Sequence, residues 1–573
     1  MNLTAAGRTM QLLKRICNTK SATEPILRPT AAKISIPLAK PERPLERTVP
    51  EAQGVPSSLI EQFLSELQRG EDLSMHSVLI LRNGTLLCEA AFGAQRTDVS
   101  KHTFSACKSI VSLAIGLLHD DGLISADTSV ANLFPELLTS VSARRLRNLT
   151  VEHLLTMRSG ISFSEPQSAA ESHWLRSALN SSLLFEPGGE FHYNSFDTYL
   201  LSAIVCRLSG ESMCEFLKKR LFDPMGISGI LWERSEDNIE KGGWGLYICP
   251  EDMAKLGQLV MNGGEWQGTR LISREYLSAA LFPHVSPPAE LGDFDYGYQI
   301  WVGRESNTFL FNGMFGQNVL GFRDSGILIV SNAGADTDFQ KSRYFEIARR
   351  CFGGTFLPSL PADRRAYDRL LRKTCSLSFY NHRTEAIGPE AAPFLGRSFV
   401  ACDPHAASAG LLPLFLQALH NCYSSGLVSV SVGAEDLLPE ITYREQDATH
   451  RFTVGLGRPS VSELSFSGNC FHVAAHGRFT HDEEERPVFY IRLEFLETPS
   501  VRILKLVLTE EGAILKHGET PGIPFLYRKF HDAAPRKLLR PLLLITTGGS
   551  DETCLTCKLQ RIFSPEIRML PEE

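Results

Sequence analysis

One apolar helical stretch constrains the fold of this 573-residue chain more than any other feature. It runs from Phe104 to Gly122, reads FSACKSIVSLAIGLLHDDG, and is apolar on nearly every side in its middle. Because a helix without a polar face must be surrounded by other elements, we expect it at the centre of a domain. Gly122, which follows a histidine and two aspartates, is suited to end the helix.

Ser105 and Lys108 lie three residues apart at the start of this stretch. Residues with this spacing share one face of a helix, so the hydroxyl and the amine point into the same cavity. Burial disfavours the ammonium form and lowers the pKa of a lysine, which suits a general base for a serine hydroxyl. A helix-capping serine followed by an unrelated lysine has the same spacing, so the pair alone does not establish catalysis.

Length and composition limit the classes of protein to which this chain can belong. A chain of 573 residues exceeds what one hydrophobic core normally fills, so we expect two domains and a tail. The chain is 43% hydrophobic and 21% charged, which is typical of a globular protein. Its net charge of -7 gives no reason to expect a nucleic-acid partner, and no apolar run of about 18 residues predicts a membrane span.

Cysteine usage and the N-terminal segment bear on the compartment. The 13 cysteines have no regular spacing, which favours a reduced compartment, and we predict a cytoplasmic protein. Residues 1–48 are basic and rich in proline, so we expect a flexible extension. Organelle targeting by this basic segment is the alternative.

The segment between the extension and residue 357 alternates between helical and strand patterns. Asn83-Gly84 lies between two apolar runs and predicts a type I′ hairpin that joins strands 76–81 and 86–91. Further helices are predicted over 148–160, capped by Thr150, and over 197–210. Helices that flank an antiparallel sheet indicate an α+β domain.

Six stretches of residues 49–357 form a pattern when they are taken in chain order. They are FSACKS, NLTVEHLLTMRSGI, FEPGGEFHYNSFDTYLLSAIVCRLSG, LFDPMGI, GGWGLYICPEDMAKLGQLVMNGGEWQG and NGMFGQNVLGF. Together they resemble the serine β-lactamase and penicillin-recognising superfamily, in its class C-like branch of esterases and 6-aminohexanoate-dimer hydrolases. The resemblance implies the β-lactamase-like fold and a serine hydrolase.

The second motif of the superfamily is a tyrosine followed at the next position but one by asparagine or serine. Tyr193-Asn194-Ser195 matches the serine form. By this resemblance Tyr193 completes a catalytic group with Ser105 and Lys108, and Ser195 orients Lys108 and the substrate. A phenol beside a desolvated lysine can be held partly as phenolate, take the proton of the serine and return it to the leaving group.

The third motif is a strand that carries Lys-Thr-Gly in β-lactamases. NGMFGQ stands in its place, after a strand predicted over 307–311, and the lysine is missing. Matching Gly313 to the motif glycine puts Phe311 at the lysine position and makes the N–H of Met314 an oxyanion donor beside the N–H of Ser105. Gly313 and Gly316 are suited to close approach of the backbone.

The chain changes character after residue 357. We predict a linker over 358–390, a β-rich domain over 391–535 that forms a small barrel or sandwich, and a tail over 536–573. His472 and His476 lie on a predicted strand without a carboxylate partner, and Cys554 and Cys557 lack a second pair, so no metal site is predicted. No cofactor is implied.

The sequence therefore predicts a serine hydrolase that cleaves a small ester or amide through an acyl-enzyme. Two alternatives stay open. One is a β-lactamase or D-amino-acid peptidase, and the other is a non-catalytic binding or scaffold protein that kept the fold. Phe163, Trp174 and Trp301 are candidates for the pocket wall, although each is equally suited to a buried core position.

Overall fold

The structure is a computed structural model that describes residues 35, 41–168, 171–304, 306–335, 342–402, 410–420, 426–522, 525 and 564–572. Most of the predicted N-terminal extension, as well as Cys554 and Cys557, lies outside these residues. The chain divides into two compact units. The first contains residues 36–92 and 96–377, and the second contains residues 1–35, 93–95 and 378–573. The domain limits predicted from sequence stay predictions.

The first unit contains a sheet and many helices. Its helices are α1 Ser57–Arg69, α2 Lys108–Asp120, α3 Val130–Leu133, α4 Ser140–Arg145, α5 Val151–Leu155, α6 Glu165–Ser168, α7 Trp174–Asn180, α8 Ser195–Ser209, α9 Met213–Leu217, α10 Asp223–Met225, α11 Pro250–Met261, α12 Arg274–Ala280, α13 Arg343–Phe352 and α14 Arg364–Leu377. Its strands are β1 Met75–Arg82, β2 Thr85–Ala91, β3 Lys101–His102, β4 Leu231–Trp232, β5 Leu246–Ile248, β6 Glu265–Trp266, β7 Thr269–Arg270, β8 Phe294–Tyr296, β9 Trp301–Gly303, β10 Thr308–Gly313, β11 Gln317–Phe322 and β12 Ile327–Ala333.

Seven of these strands form an antiparallel sheet in the order β2-β1-β12-β11-β10-β9-β8. Side chains alternate between its faces, so Phe309 and Phe311 join one buried cluster with α2, α8 and α11, while Leu310 joins another with α1 and α13. The sheet is thus covered by helices on both faces. This confirms the predicted α+β class.

The predicted local elements are largely confirmed. Asn83 and Gly84 have φ values of 49° and 85°, as a type I′ turn requires, and β1 pairs with β2 antiparallel. Helix α2 is buried from Lys108 to Leu118, in agreement with its apolar sequence. The helix predicted over 197–210 begins at Ser195, two residues earlier, and ends at Ser209.

The helix predicted over 148–160 is too long, because α5 ends at Leu155. Thr150 caps it as expected, by accepting a hydrogen bond from the backbone N–H of His153. Beyond the helix, Met157 adopts a left-handed conformation with φ of 57°. Its carbonyl accepts a hydrogen bond from the N–H of His192 at 2.9 Å, so a contact with a distant loop replaces the helix.

The second unit is a nearly closed β-barrel. Its strands are β13 Arg397–Ala401, β14 Leu427–Glu435, β15 Leu438–Glu445, β16 Thr449–Thr453, β17 Gly455–Leu456, β18 Ser460–Phe466, β19 Asn469–His481, β20 Pro487–Phe495, β21 Val501–Thr509, β22 Gly512–Thr520 and β23 Glu566–Pro571, and one helix, α15, spans Leu414–His420. The sequence predicts a tail at its end, but β23 lies between β13 and β22. Ile567 and Met569 alternate toward the buried side, which explains the strand.

The two histidines predicted to lack a carboxylate partner each have one. His472 Nδ1 lies 2.6 Å from Glu497 Oε1, and His476 Nε2 lies 3.3 Å from Glu494 Oε1. The expectation was wrong because Glu497 follows the neighbouring strand β20, to which Glu494 belongs. Within the described ranges, no group of three or more His, Cys, Asp or Glu residues is placed to hold a metal ion. None of the described helices has the length and apolar character needed to span a bilayer.

Candidate active site

Ser105 lies in a 3-10 turn, Phe104–Cys107, that leads directly into α2. Phe104 has φ of 47°, in the left-handed region that non-glycine residues seldom adopt. Both neighbours of Ser105 in the chain are buried, whereas Ser105 itself is partly exposed. The strained turn therefore presents the serine hydroxyl outward from an otherwise buried segment.

Lys108 is the first residue of α2, and its side chain is almost completely buried. Its Nζ donates hydrogen bonds to Ser105 Oγ at 3.0 Å, to Ser195 Oγ at 3.0 Å and to the carbonyl oxygen of Gly243 at 2.7 Å. Desolvation lowers the pKa of Lys108 to about 8. A substantial fraction of the amine is therefore neutral near physiological pH, within hydrogen-bond distance of the serine.

Tyr193 lies just before α8 and is half-buried. Its ring stacks on Trp301 with centroids 5.8 Å apart, and Lys108 Nζ lies 5.0 Å from the Tyr193 ring centroid. Burial raises the pKa of Tyr193 above its ordinary value, and a side-chain hydrogen bond with Ser105 opposes this shift without cancelling it. The phenol is therefore neutral and able to donate a proton.

Asn194 connects the two candidate side chains at the start of α8. Its Oδ1 accepts a hydrogen bond from the N–H of Phe196 at 3.0 Å, and its Nδ2 donates to the carbonyls of Ile161 and Phe163 at 2.9 and 3.0 Å. This cap holds the first turn of α8 in place. Ser195, the first residue of the helix, is consequently directed toward Lys108.

Gly243 is a site residue that the sequence analysis missed. Its carbonyl accepts the shortest of the three hydrogen bonds from Lys108. A Cβ atom at this position would lie 2.6 Å from Ser195 Cβ, so only glycine fits. In the sequence, the signal for this position is the pair of glycines in GGWG, which belongs to one of the stretches that resemble the family.

The end of β10 packs against the turn that carries Ser105. A Cβ atom at Gly313 would lie 2.2 Å from the carbonyl oxygen of Thr103, and the Phe315 ring lies edge-on to Phe104 with centroids 5.1 Å apart. Because both of its neighbours contact the residues that precede Ser105, the backbone of Met314 lies alongside that turn. Gly316 has φ of 91° and approaches Ala333 on β12 rather than the turn.

The aromatic candidates for the pocket wall separate into two groups. Phe163 and Trp174 are buried and pack edge-on against Phe196, so they belong to the core. Trp301 is also buried, but it stacks on Tyr193 and so orients that ring. Phe311 is completely buried in the sheet and presents no charge at the position of the motif lysine.

The sheet between two helical layers, with a serine-lysine turn against the end of β10, is the architecture of serine β-lactamase-like proteins. The chain belongs to the beta-lactamase family, whose model matches residues 60–348, about half of the chain.

Three similar proteins illustrate the range of the family. A 6-aminohexanoate-dimer hydrolase from Paenarthrobacter ureafaciens is 24% identical over 343 residues, which cover 54% of this chain and 84% of the relative. A lovastatin esterase from Penicillium rubens is 27% identical over 196 residues, which cover 30% of this chain and 48% of the relative. A penicillin-binding protein structure from Bacillus halodurans has 19% identity and a TM-score of 0.41, and the match covers 51% of this chain and 97% of that chain. These relatives include one that is named a dimer hydrolase and one that is named an esterase.

Proposed function

We propose that this protein is a serine hydrolase that cleaves small esters or amides through an acyl-enzyme. One observation carries the proposal: Lys108 Nζ donates to both Ser105 Oγ and Ser195 Oγ, in a pocket that lowers its pKa to about 8. A desolvated amine held on a partly exposed serine is the arrangement that nucleophilic catalysis requires. The names of the two relatives, a 6-aminohexanoate-dimer hydrolase and a lovastatin esterase, support a hydrolase of small molecules.

The first step forms the acyl-enzyme. Ser105 Oγ attacks the substrate carbonyl carbon, and its proton passes to the neutral amine of Lys108. The tetrahedral intermediate then collapses, and the bond to the leaving alcohol or amine breaks as Tyr193 donates its proton to that group. The ammonium of Lys108 returns a proton to Tyr193, so both groups recover their starting state.

The second step releases the acyl group. Water attacks the ester carbonyl of the acyl-enzyme and transfers a proton to the neutral Lys108 amine. The bond to Ser105 Oγ breaks as the oxygen regains a proton from Tyr193, and the carboxylic acid leaves. The Lys108 ammonium then returns a proton to the Tyr193 phenolate, which restores the starting state. The same two side chains thus serve both steps, with water in place of the leaving group.

The pKa directions favour Lys108 as the base and Tyr193 as the acid. Desolvation lowers the pKa of Lys108 toward neutrality, whereas it raises the pKa of Tyr193. A tyrosine held as phenolate, which the sequence analysis considered, is disfavoured by the same burial that activates the lysine.

Two backbone N–H groups are the proposed oxyanion donors, those of Ser105 and Met314. The contacts of Gly313 with Thr103 and of Phe315 with Phe104 support this role, because they hold the two backbone segments side by side. Preorganised donors of this kind contribute about 100- to 1,000-fold each to the rate. Gly313 and Ser195 also border the space that the substrate would occupy.

The proposal is tested by assaying the full-length chain with p-nitrophenyl butyrate and by labelling it with a fluorophosphonate probe. We expect ester turnover and covalent labelling at Ser105, located by peptide mass spectrometry. An unlabelled, inactive protein would instead support the non-catalytic alternative. Labelling at another serine would remove Ser105 from the mechanism.

Tyr193→Phe is expected to discriminate between good and poor leaving groups. During acylation an alkoxide must be protonated as it leaves, whereas p-nitrophenolate leaves unaided, so the acid matters in this step only for the former. Both esters form the same acyl-enzyme, so the leaving group affects kcat/KM, which reports acylation: we expect kcat/KM to fall roughly 100-fold on ethyl butyrate and less than about 10-fold on p-nitrophenyl butyrate. Tyr296→Phe removes a nearby hydroxyl and is the control, since Tyr296 packs edge-on to Tyr193. Equal losses of kcat/KM on both esters would show that Tyr193 is not the acid that protonates the leaving group.

The β-lactamase alternative predicts turnover of nitrocefin, which carries a carboxylate. At the position of the lysine that binds this group in β-lactamases, Phe311 is fully buried. Arg323 follows the last residue of the six-residue strand β11, whereas Met314 lies near the first residue of that strand. The length of the strand separates Arg323 from Met314 by about 20 Å, and the Arg323 guanidinium donates a hydrogen bond to Asn307 Oδ1. A missing charged partner costs about 1.5 to 3 kcal/mol.

We therefore expect kcat/KM for nitrocefin to be roughly 10- to 150-fold below that for a neutral short-chain ester on the same preparation. The same argument applies to D-amino-acid peptides that end in a free carboxylate. Nitrocefin turnover equal to or above that of the ester would support the β-lactamase function instead.

A further inference from the structure

A buried ion pair lies beneath the turn that holds Lys108. Lys241 Nζ contacts Glu233 Oε2, and the two side chains are only 3% and 2% exposed. The hydroxyl of Tyr247 donates to the other oxygen of Glu233 at 3.3 Å. Each charge thus has a partner within the protein, which matters because burying an ion pair has a large desolvation penalty.

The backbone around this pair forms a closed turn, residues 241–245, which we call the glycine turn. The N–H of Lys241 donates to the carbonyl of Glu233 at 2.9 Å, and the N–H of Glu233 donates to the carbonyl of Gly245 at 2.9 Å. Lys241 Nζ also lies 5.6 Å from the Trp244 ring centroid. The backbone of Glu233 is therefore hydrogen-bonded to both ends of the glycine turn, Lys241 and Gly245. Its side chain also forms the ion pair with Lys241.

The carbonyls of the glycine turn reach the start of α2. Gly242 accepts a hydrogen bond from Cys107 Sγ at 3.0 Å, and Gly243 accepts the one from Lys108 Nζ at 2.7 Å. On its other side the turn contacts α8, where a Cβ atom on Gly243 would lie 2.6 Å from Ser195 Cβ. The glycine turn therefore contacts both the segment that carries Lys108 and the helix that carries Ser195.

We propose that the Glu233–Lys241 ion pair positions the glycine turn so that the carbonyl of Gly243 holds the Lys108 amine on Ser105. Glu233 and Lys241 are positioning residues, because they act through the turn and do not touch the reacting atoms. The inference rests on the proposed function, in which Lys108 is the base.

The physical reason lies in the geometry of an amine. Nζ has three donor directions as an ammonium, and here Ser105, Ser195 and Gly243 accept all three. If the Gly243 carbonyl moves, Nζ loses one of its three hydrogen bonds. The lysine side chain is then held less firmly and can rotate so that Nζ moves away from Ser105. A small displacement of a catalytic group lowers kcat and has little effect on substrate binding.

Lys241→Met and Glu233→Asp test the proposal on the full-length chain. The first removes the charge, and the second keeps it but withdraws the carboxylate by one methylene. We expect kcat on p-nitrophenyl butyrate to fall about 10- to 100-fold in Lys241→Met with KM changed less than about 3-fold. Lys241→Arg, which restores a cation, is expected to recover part of the loss.

The matched control is a second buried ion pair in the same unit. Lys255 Nζ lies 2.6 Å from Asp252 Oδ1, both side chains are 1% exposed, and Lys255 also donates to the carbonyl of Gly226. Lys255→Met therefore removes a comparable pair without a link to Lys108. We expect both lysine variants to lower the melting temperature, and only Lys241→Met to lower kcat per folded molecule.

The pH dependence of fluorophosphonate labelling gives a readout that stability does not move. The Gly243 carbonyl favours the charged form of Lys108, as do the nearby Cys107 and Glu165 side chains. Displacement of the carbonyl therefore moves the midpoint of the labelling profile to lower pH in Glu233→Asp, which keeps both charges of the pair, but not in Lys255→Met. If Lys241→Met does not fold, Glu233→Asp supplies both the kcat and the labelling readout. If the folded variants had the kcat and the labelling midpoint of the wild type, the role of the ion pair would be overturned, but the proposed function would stand. A wild-type chain that is not labelled at Ser105 would overturn the proposed function and the inference with it.

Discussion

Ser105→Ala is expected to reduce hydrolysis of p-nitrophenyl butyrate to the background rate, a loss of roughly 1,000-fold or more. Alanine has no atom that can attack the carbonyl, so no acyl-enzyme forms, and the lysine and tyrosine have no proton to exchange. Binding and oxyanion stabilisation alone leave a small residual acceleration over water. Labelling by the fluorophosphonate probe should vanish together with turnover.

The fold of this variant should be intact, because Ser105 is partly exposed and its backbone already lies in a helical turn. A melting temperature close to that of the wild type is the first control. Ser112→Ala is the matched control, since it removes a buried hydroxyl of α2 that forms a hydrogen bond with the Tyr276 hydroxyl rather than with Lys108. If Ser105→Ala retained more than a few per cent of the activity, another residue would be the nucleophile.

Lys108→Met is expected to lower kcat roughly 100- to 10,000-fold, the range for a positioned base. Methionine fills a similar volume but accepts no proton and makes none of the three hydrogen bonds of Nζ. KM should change much less, because the amine is bonded to protein groups and holds Ser105 rather than the substrate.

The pH profile gives this variant a second signature. The pKa of Lys108 is lowered to about 8, so the amine is mostly protonated below that pH and cannot accept the proton of Ser105. Wild-type kcat/KM should therefore rise with pH through about 8, and this limb should be missing from Lys108→Met. A limb that persists in the variant would assign the titration to a different group. Lys255→Met, which keeps the limb, controls for loss of a buried lysine.

The contacts in the site that could be predicted from the sequence are those between residues close together in the chain. Ser105 and Lys108 are three residues apart, so helix geometry alone predicted their meeting, and the structure places Nζ 3.0 Å from Oγ. Tyr193 and Ser195 were assigned only through resemblance to a family, since nothing in their own segment indicates that they lie against α2. The length of α5 was mispredicted because a hydrogen bond between Met157 and His192, 35 residues apart, interrupts the helix.

No sequence motif identifies Gly243 or the Glu233–Lys241 ion pair as part of the site. The lysine is held by a backbone carbonyl, and because every residue type has one, the sequence contains no signature of that contact. Glu233 and Lys241 look like ordinary surface charges in the sequence, and only their burial makes them unusual. A glycine pair in an unassigned stretch is the most that sequence reasoning could have used.

By itself, the sequence determined the features set by local periodicity and turn chemistry. These are the buried central helix, the Asn83-Gly84 hairpin, the alternation of strand residues in both units and the spacing of Ser105 and Lys108. The tertiary structure decided the rest: which distant groups accept the hydrogen bonds of Lys108, the burial of Phe311, and the entry of residues 566–571 into the barrel. The physical reason is that propensities act over a few residues, whereas burial and hydrogen-bond pairing depend on segments that meet only when the chain has folded.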